Sequence, residues 1–218
     1  MCGICGIVDK ESRKVVQPEI IKKMASLLSH RGPDDEGFFT YKNVGLGIRR
    51  LSVIDIFGGH QPIHNEDNSI QLVSNGEIYN FKELRQQLNQ NGHIFYTHSD
   101  TEVIVHLYEE EGKNCVERLR GMFAFALWDK NKNELLLARD RIGIKPLHYF
   151  INDEKIIFAS EIKSILAVEG VKRDIDPCAV DNFLTFEYIQ APKTIFKNIK
   201  KLLPGHTLIY KKRGNFFK

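Results

Sequence analysis

The chain opens on an apolar, β-prone run, Gly3 to Asp9, which predicts a strand buried on both faces. Pro18 then starts a helical pattern with Ile20, Ile21, Met24, Leu27 and Leu28 on one side. It stops before His30-Arg31-Gly32-Pro33-Asp34, where the Gly-Pro pair marks a loop. Short strands are predicted around Gly37–Tyr41 and Val44–Arg49, with a break at Gly58-Gly59-His60-Gln61-Pro62. Residues Ile70–Ser74 alternate as a strand that ends at Asn75-Gly76-Glu77. Helices are predicted at about Phe81–Asn91 and from near Ser99, where Ser99 and Glu102 have capping-box spacing. Met122–Trp128 and Glu134–Ala138 flank a turn-rich stretch and read as a hairpin. Phe150–Ala159 reads as a strand or hairpin and Glu161–Val168 as a short helix.

Many short strands with few helices, lacking regular alternation, predict an α+β fold built on antiparallel sheet. Residues 2–172 form the expected core. From Arg173 the texture changes: Asp176-Pro177 can start a helix to Phe186, but Pro192, Pro204 and the basic run Lys197–Lys201 suggest a connecting arm over 173–218.

Composition narrows the function. The 218 residues are 42% hydrophobic and 27% charged, ordinary for a globular protein. A net charge of +3 is too small to argue for nucleic acid as a partner. No apolar run is long enough to span a membrane, and the N-terminus lacks signal-peptide features, so a cytoplasmic location is the expectation. Cys2 and Cys5 have C-x-x-C spacing, but nearby partners for zinc are missing and the pair sits in an apolar strand. Metal or redox chemistry there is a minor alternative. No metal or cofactor is expected in this chain.

Cys2 is the most informative position. If Met1 is removed, its thiol and a free α-amine share one residue, and the amine can serve as the base that the thiol needs. Such an amine has a pKa of about 7.7–8.0 against about 10.4 for lysine, so a useful fraction is neutral at physiological pH. Attack by a thiol calls for donors to an oxyanion, and Asn75-Gly76 offers a side-chain amide and a glycine backbone N–H. In isolation that dipeptide is more often only a turn. Asp100 can favour a helix N-terminus or bind a substrate ammonium. An arginine of Arg49-Arg50 could clamp a carboxylate with paired hydrogen bonds. The charged loop Arg139–Pro146 reads as mainly structural. Phosphate loops, dinucleotide fingerprints and H-E-x-x-H are absent from the sequence.

Taken together, ordered blocks give a resemblance. They are HRGPD (30–34), RRLSVID (49–55), QP (61–62), SNGEIYN (74–80), HSDTEVI (98–104), GMFAFALWD (121–129), RDRIGIKPLHY (139–149), FASEIKSIL (158–166) and LPGH (203–206). The chain resembles the glutaminase domain of glutamine-dependent asparagine synthetases, class II amidotransferases with an N-terminal nucleophile. The resemblance implies a four-layer αββα sandwich of two antiparallel sheets between helices. It implies Cys2 as nucleophile, Asn75 and Gly76 as the oxyanion hole, Arg50 for the α-carboxylate of glutamine, and Glu77 and Asp100 near its α-ammonium. The partners implied are L-glutamine and an ATP-dependent synthetase domain, in cis or as a separate chain, with a homodimer possible. The SGG-x-D pyrophosphate loop of such synthetases does not occur in these 218 residues, so ATP and magnesium are expected only for that other domain. The alternatives are a non-catalytic glutamine-binding or regulatory module and an ammonia donor to a different acceptor.

Overall fold

The computed structural model describes residues 1–11 and 15–211, and the backbone alone of 214–217. Its strands are β1 (Gly3–Asp9), β2 (Asp35–Tyr41), β3 (Val44–Arg50), β4 (Ile63–His64), β5 (Ile70–Ile78) and β6 (Gly121–Asp129). They continue with β7 (Glu134–Arg139), β8 (His148–Ile151), β9 (Lys155–Ala159), β10 (Ile199–Lys201), β11 (Thr207–Lys211) and β12 (Gly214–Phe217). The helices are α1 (Pro18–Ser26), α2 (Phe81–Gln90), α3 (Glu102–Glu111), α4 (Cys115–Arg118), α5 (Ile162–Ile165) and α6 (Pro177–Phe186).

Among the described residues these strands make two six-stranded sheets, β10-β8-β9-β1-β3-β2 and β12-β11-β7-β6-β5-β4. Every strand pairing in both is antiparallel. Three apolar clusters separate four layers. One lies between α1, α5 and the first sheet, one between the sheets, and one between the second sheet and α2 and α3. Because side chains alternate along a strand, a central strand must supply apolar groups to two of these interfaces. On β6, Phe123, Phe125 and Leu127 face α2 and α3, while Ala124, Ala126 and Trp128 face the other sheet. This double burial explains the unbroken apolar runs, and each such large side chain contributes about 1.5–3 kcal/mol. The expected α+β, αββα architecture is the observed one.

Several local expectations need correction. Asn75-Gly76 neither turns nor ends a strand; β5 runs through it to Ile78, paired with β6 along its length. The Ser99–Glu102 capping box does not form. The Glu102 carboxylate instead accepts from the backbone N–H groups of Tyr96 and Thr97, at 2.8 and 2.9 Å. On α1 the buried side chains are Ile21, Met24 and Ala25; Leu27 lies past the helix end and is exposed. The segment 173–218 is not simply an arm. It contains α6 where predicted, N-capped by Asp176, but β10 joins the first sheet and β11 and β12 join the second. Prolines and lysines masked short strands whose pairing is long-range.

Candidate active site

The second sheet builds the site by running out of partners. Strand β4 pairs with β5 only at Ile63↔Leu72 and His64↔Gln71. Beyond that point, among the described residues, the outer edge of β5 has no neighbouring strand. The Gln61 side-chain amide takes over the next position, accepting from Ser74 N at 2.7 Å and donating to Ser74 O at 3.2 Å. Four residues further, the Asp100 carboxylate accepts from Ile78 N at 2.7 Å. Backbone N–H groups alternate sides along a strand. The N–H of Gly76, midway between those of Ser74 and Ile78, therefore points to the same open edge.

The side-chain alternation sets the other component. Val73 belongs to the apolar cluster between the sheets, so Asn75 and Glu77 project from the same face. Cys2, just ahead of β1, packs against that cluster from the opposite sheet. Asn75 is 1% exposed, and its side-chain Nδ2 has no hydrogen-bond partner among the described residues. Leaving a buried donor unpaired costs about 1–3 kcal/mol, so it calls for a functional explanation. Gly76 cannot be replaced cheaply, since an added Cβ would lie 2.1 Å from the Met122 carbonyl oxygen.

These groups line one cavity of about 230 Å³, which also holds Arg50, Glu77, Asp100 and Lys145 at its walls. All six residues singled out from the sequence, Cys2, Arg50, Asn75, Gly76, Glu77 and Asp100, meet there. Arg50 is the last residue of β3 and is almost fully buried. Its guanidinium donates to the carbonyls of Ile54 and Asp55 at 3.0 and 2.7 Å, and more loosely to Ile56 at 3.4 Å. The arginine thus pins the loop after β3. Gly59 is needed close by, because a Cβ there would sit 2.6 Å from the Arg50 Nη2.

Cys2 is anchored from both sides. Arg31 Nε donates to its carbonyl at 2.9 Å, and Leu51 N donates to its sulfur at 3.4 Å. Arg31 is itself held by Glu161 at 3.0 Å. Burial pushes the Cys2 thiol up; the Leu51 N–H and the positive charges of the N-terminus, Arg50 and Lys145 pull against that. Burial likewise raises the Asp100 carboxyl, with the charge of Glu77 adding to the effect. Met1 precedes Cys2 and lines the same cavity. Cys5 points the other way, into the α1 layer, and its thiol is pushed up to about 12 by burial, so the C-x-x-C spacing does not make a pair.

Lys145 was missed. The loop after β7 reads as structural, and it is: the Asp140 carboxylate accepts backbone N–H groups from Ile142, Gly143, Ile144 and Lys145 at 2.6–3.1 Å. That same cradle delivers the Lys145 side chain to the cavity. A lysine beside a proline carries no signal of this by itself. Gln61, a second wall residue, sits in a segment read as a break and as one of the blocks of the resemblance, with no role at the site assigned to it.

Comparison with known proteins gives the family and the fold. The family model described as a glutamine amidotransferase domain matches residues 1–218. Asparagine synthetase [glutamine-hydrolyzing] 1 of Bacillus subtilis is 40% identical over 217 residues, 99% of this chain and 34% of that protein. Asparagine synthetase [glutamine-hydrolyzing] 2 of the same organism is 45% identical over 215 residues, 95% of this chain and 28% of that protein. The chain therefore spans about a third of the length of these relatives. Among solved structures, glutamine phosphoribosylpyrophosphate amidotransferase of B. subtilis matches the whole chain and 49% of its own, with TM-score 0.69 and 22% identity, a likeness of fold. Among the described residues, no helix is long and apolar enough to cross a membrane. On the match along its entire length, this chain belongs to the glutamine amidotransferase domain family.

Proposed function

We propose that this domain hydrolyses L-glutamine to L-glutamate and ammonia through a thioester on Cys2. The observation that carries the reading is the unpaired, buried Asn75 Nδ2, set beside the outward N–H of Gly76 in the cavity that Cys2 lines. With Met1 removed, the Cys2 α-amine takes the thiol proton as sulfur attacks the carboxamide carbon. Negative charge develops on the amide oxygen, where Asn75 Nδ2–H and Gly76 N–H donate. The ammonium of Cys2 returns its proton to the departing nitrogen, and ammonia leaves. Water then attacks the thioester, and glutamate is released with the thiol restored.

The walls suit a zwitterion. Arg50 commits three N–H groups to carbonyls and its Nη1 also lies 3.9 Å from Asp35 Oδ2, so it offers an α-carboxylate its positive charge and a single hydrogen bond rather than a two-pronged clamp. Glu77 and Asp100 supply negative charge for the α-ammonium. The cavity has room for one amino acid rather than a peptide. The ammonia acceptor, and the ATP- and magnesium-dependent step that would use it, belong to a synthetase region beyond these residues. The names of the relatives favour aspartate as the species activated there.

Protein confirmed by intact mass to lack Met1 should release glutamate and ammonia in equal amounts from glutamine. Cys2→Ala should reduce kcat by at least about three orders of magnitude. Equal turnover by the variant would remove the reading. A second reading rests on Met1 lining the cavity: a chain that keeps it has its base tied up as a peptide and binds glutamine without turnover.

A further inference from the structure

Away from this cavity, the outer face of the second sheet carries a cluster of different character. Glu66 follows β4, His93 follows α2, and His106 and Glu109 lie one turn apart on α3. One ligand atom from each falls within 4.8 Å of the others. His106 Nδ1 is 2.9 Å from Glu109 Oε2 and 3.8 Å from Glu66 Oε1. His93 Nδ1 is 3.5 Å from Glu109 Oε2 and 3.9 Å from Glu66 Oε1. A tetrahedron around zinc, with bonds of about 2.0–2.1 Å, has edges of about 3.3 Å. The four measured edges bracket that value. We propose that Glu66, His93, His106 and Glu109 form a four-coordinate site for a divalent transition metal, zinc above all.

The surroundings are those of a ligand set. Metal-binding imidazoles commonly present their second nitrogen to a carboxylate or carbonyl. His106 is fully buried and its Nε2 lies 3.6 Å from Glu102 Oε1, short of a hydrogen bond but aimed at a carboxylate; His93 Nε2 lies 3.3 Å from Glu110 Oε1. Glu109 Oε1 accepts from Asn65 Nδ2 at 2.9 Å, and Glu66 Oε1 accepts from Ile94 N at 3.2 Å. Two imidazoles and two carboxylates give a neutral site with zinc, and borderline nitrogen and oxygen donors suit that ion better than calcium or magnesium. With four protein ligands the site is closed to catalysis and structural in kind. It would tie the β4–β5 loop and the α2–α3 connection to α3, the helix that Asp100 shortly precedes. Glu66 and Glu109 are exposed, which gives the ion a way in.

The test is metal binding to full-length, chelator-treated protein, with cobalt(II) chloride and zinc chloride as the probes. One cobalt per chain should bind with the intense visible absorption of tetrahedral geometry, and zinc should displace it. Glu66→Gln, at the exposed rim, and His93→Ala should each weaken zinc affinity at least tenfold and leave glutamine hydrolysis unchanged. Absence of saturable binding at micromolar metal, a weak octahedral cobalt spectrum, or binding that survives both substitutions would overturn the site. The last outcome would assign the metal to a thiol such as Cys2, and the first would leave the four residues as a proton-sharing ion network.

Discussion

Helix α3 separates two polar regions built on opposite rules. Just ahead of it, Asp100 faces a cavity whose donors and charges converge on space: Asn75 Nδ2 has no partner among the described residues, and burial, with the charge of Glu77 adding to it, raises the Asp100 carboxyl. Midway along it, His106 and Glu109 converge on each other and on Glu66 and His93, with Asn65, Ile94 and Glu102 behind them. The first arrangement is unfavourable until a zwitterion arrives. The second has opposite charges already in contact, and a small cation fits its centre. Polar groups that point at emptiness mark a substrate site; polar groups with a supporting shell mark a structural one.

The contrast can be broken most forcefully at Asn75. Asn75→Ala should lower kcat for glutamine about 100- to 1,000-fold with KM little altered, because the donor acts on charge that exists only in the transition state. Steady-state kinetics check this, and a loss confined to KM would make Asn75 a ground-state contact.

Asp100→Asn should come next. Loss of a charged hydrogen bond to the ammonium should raise KM about 10- to 100-fold, on the order of 1.5–3 kcal/mol. Stability should move the other way. Burial, with Glu77, holds the Asp100 carboxyl above the usual carboxylate range, so the folded state binds that proton more tightly than the unfolded one. The stability this confers is present at low pH and lost as pH rises through the raised pKa. At neutral pH the ionised group is a cost, and the variant should melt at the same temperature or higher. A lowered Tm together with an unchanged KM would place Asp100 with the structural residues instead.

The smallest effect belongs to Lys145. Its positive charge favours the Cys2 thiolate, so Lys145→Met should raise the thiol pKa further. Alkylation by iodoacetamide should shift to higher pH, and kcat/KM at neutral pH should fall by less than about tenfold, the scale of one pKa unit. An unshifted alkylation profile would show that the lysine acts only as a wall.

Legibility differed by residue. Cys2 was readable from position, since an amine and a thiol on one residue is a matter of covalent structure. Asn75-Gly76 was readable by donor chemistry but misread in conformation: whether this pair turns or stays extended depends on the nine-residue pairing of β5 with β6. Lys145 was not readable, because its approach depends on four amides gathered by Asp140. The ligands at 66, 93, 106 and 109 match no spaced motif; only His106 and Glu109 are helical neighbours, and the loops supply the rest.

By itself the sequence determined most elements ahead of Arg173 and an antiparallel α+β class, because apolar periodicity is a local property, while the four layers were implied only by the resemblance of its ordered blocks. Only the tertiary structure decided which polar groups would be paired. Hydrogen-bond satisfaction is settled between residues distant in the chain: β4 stops after two residues, Gln61 covers one position and Asp100 another, and what stays uncovered between them is the place where a ligand can bind.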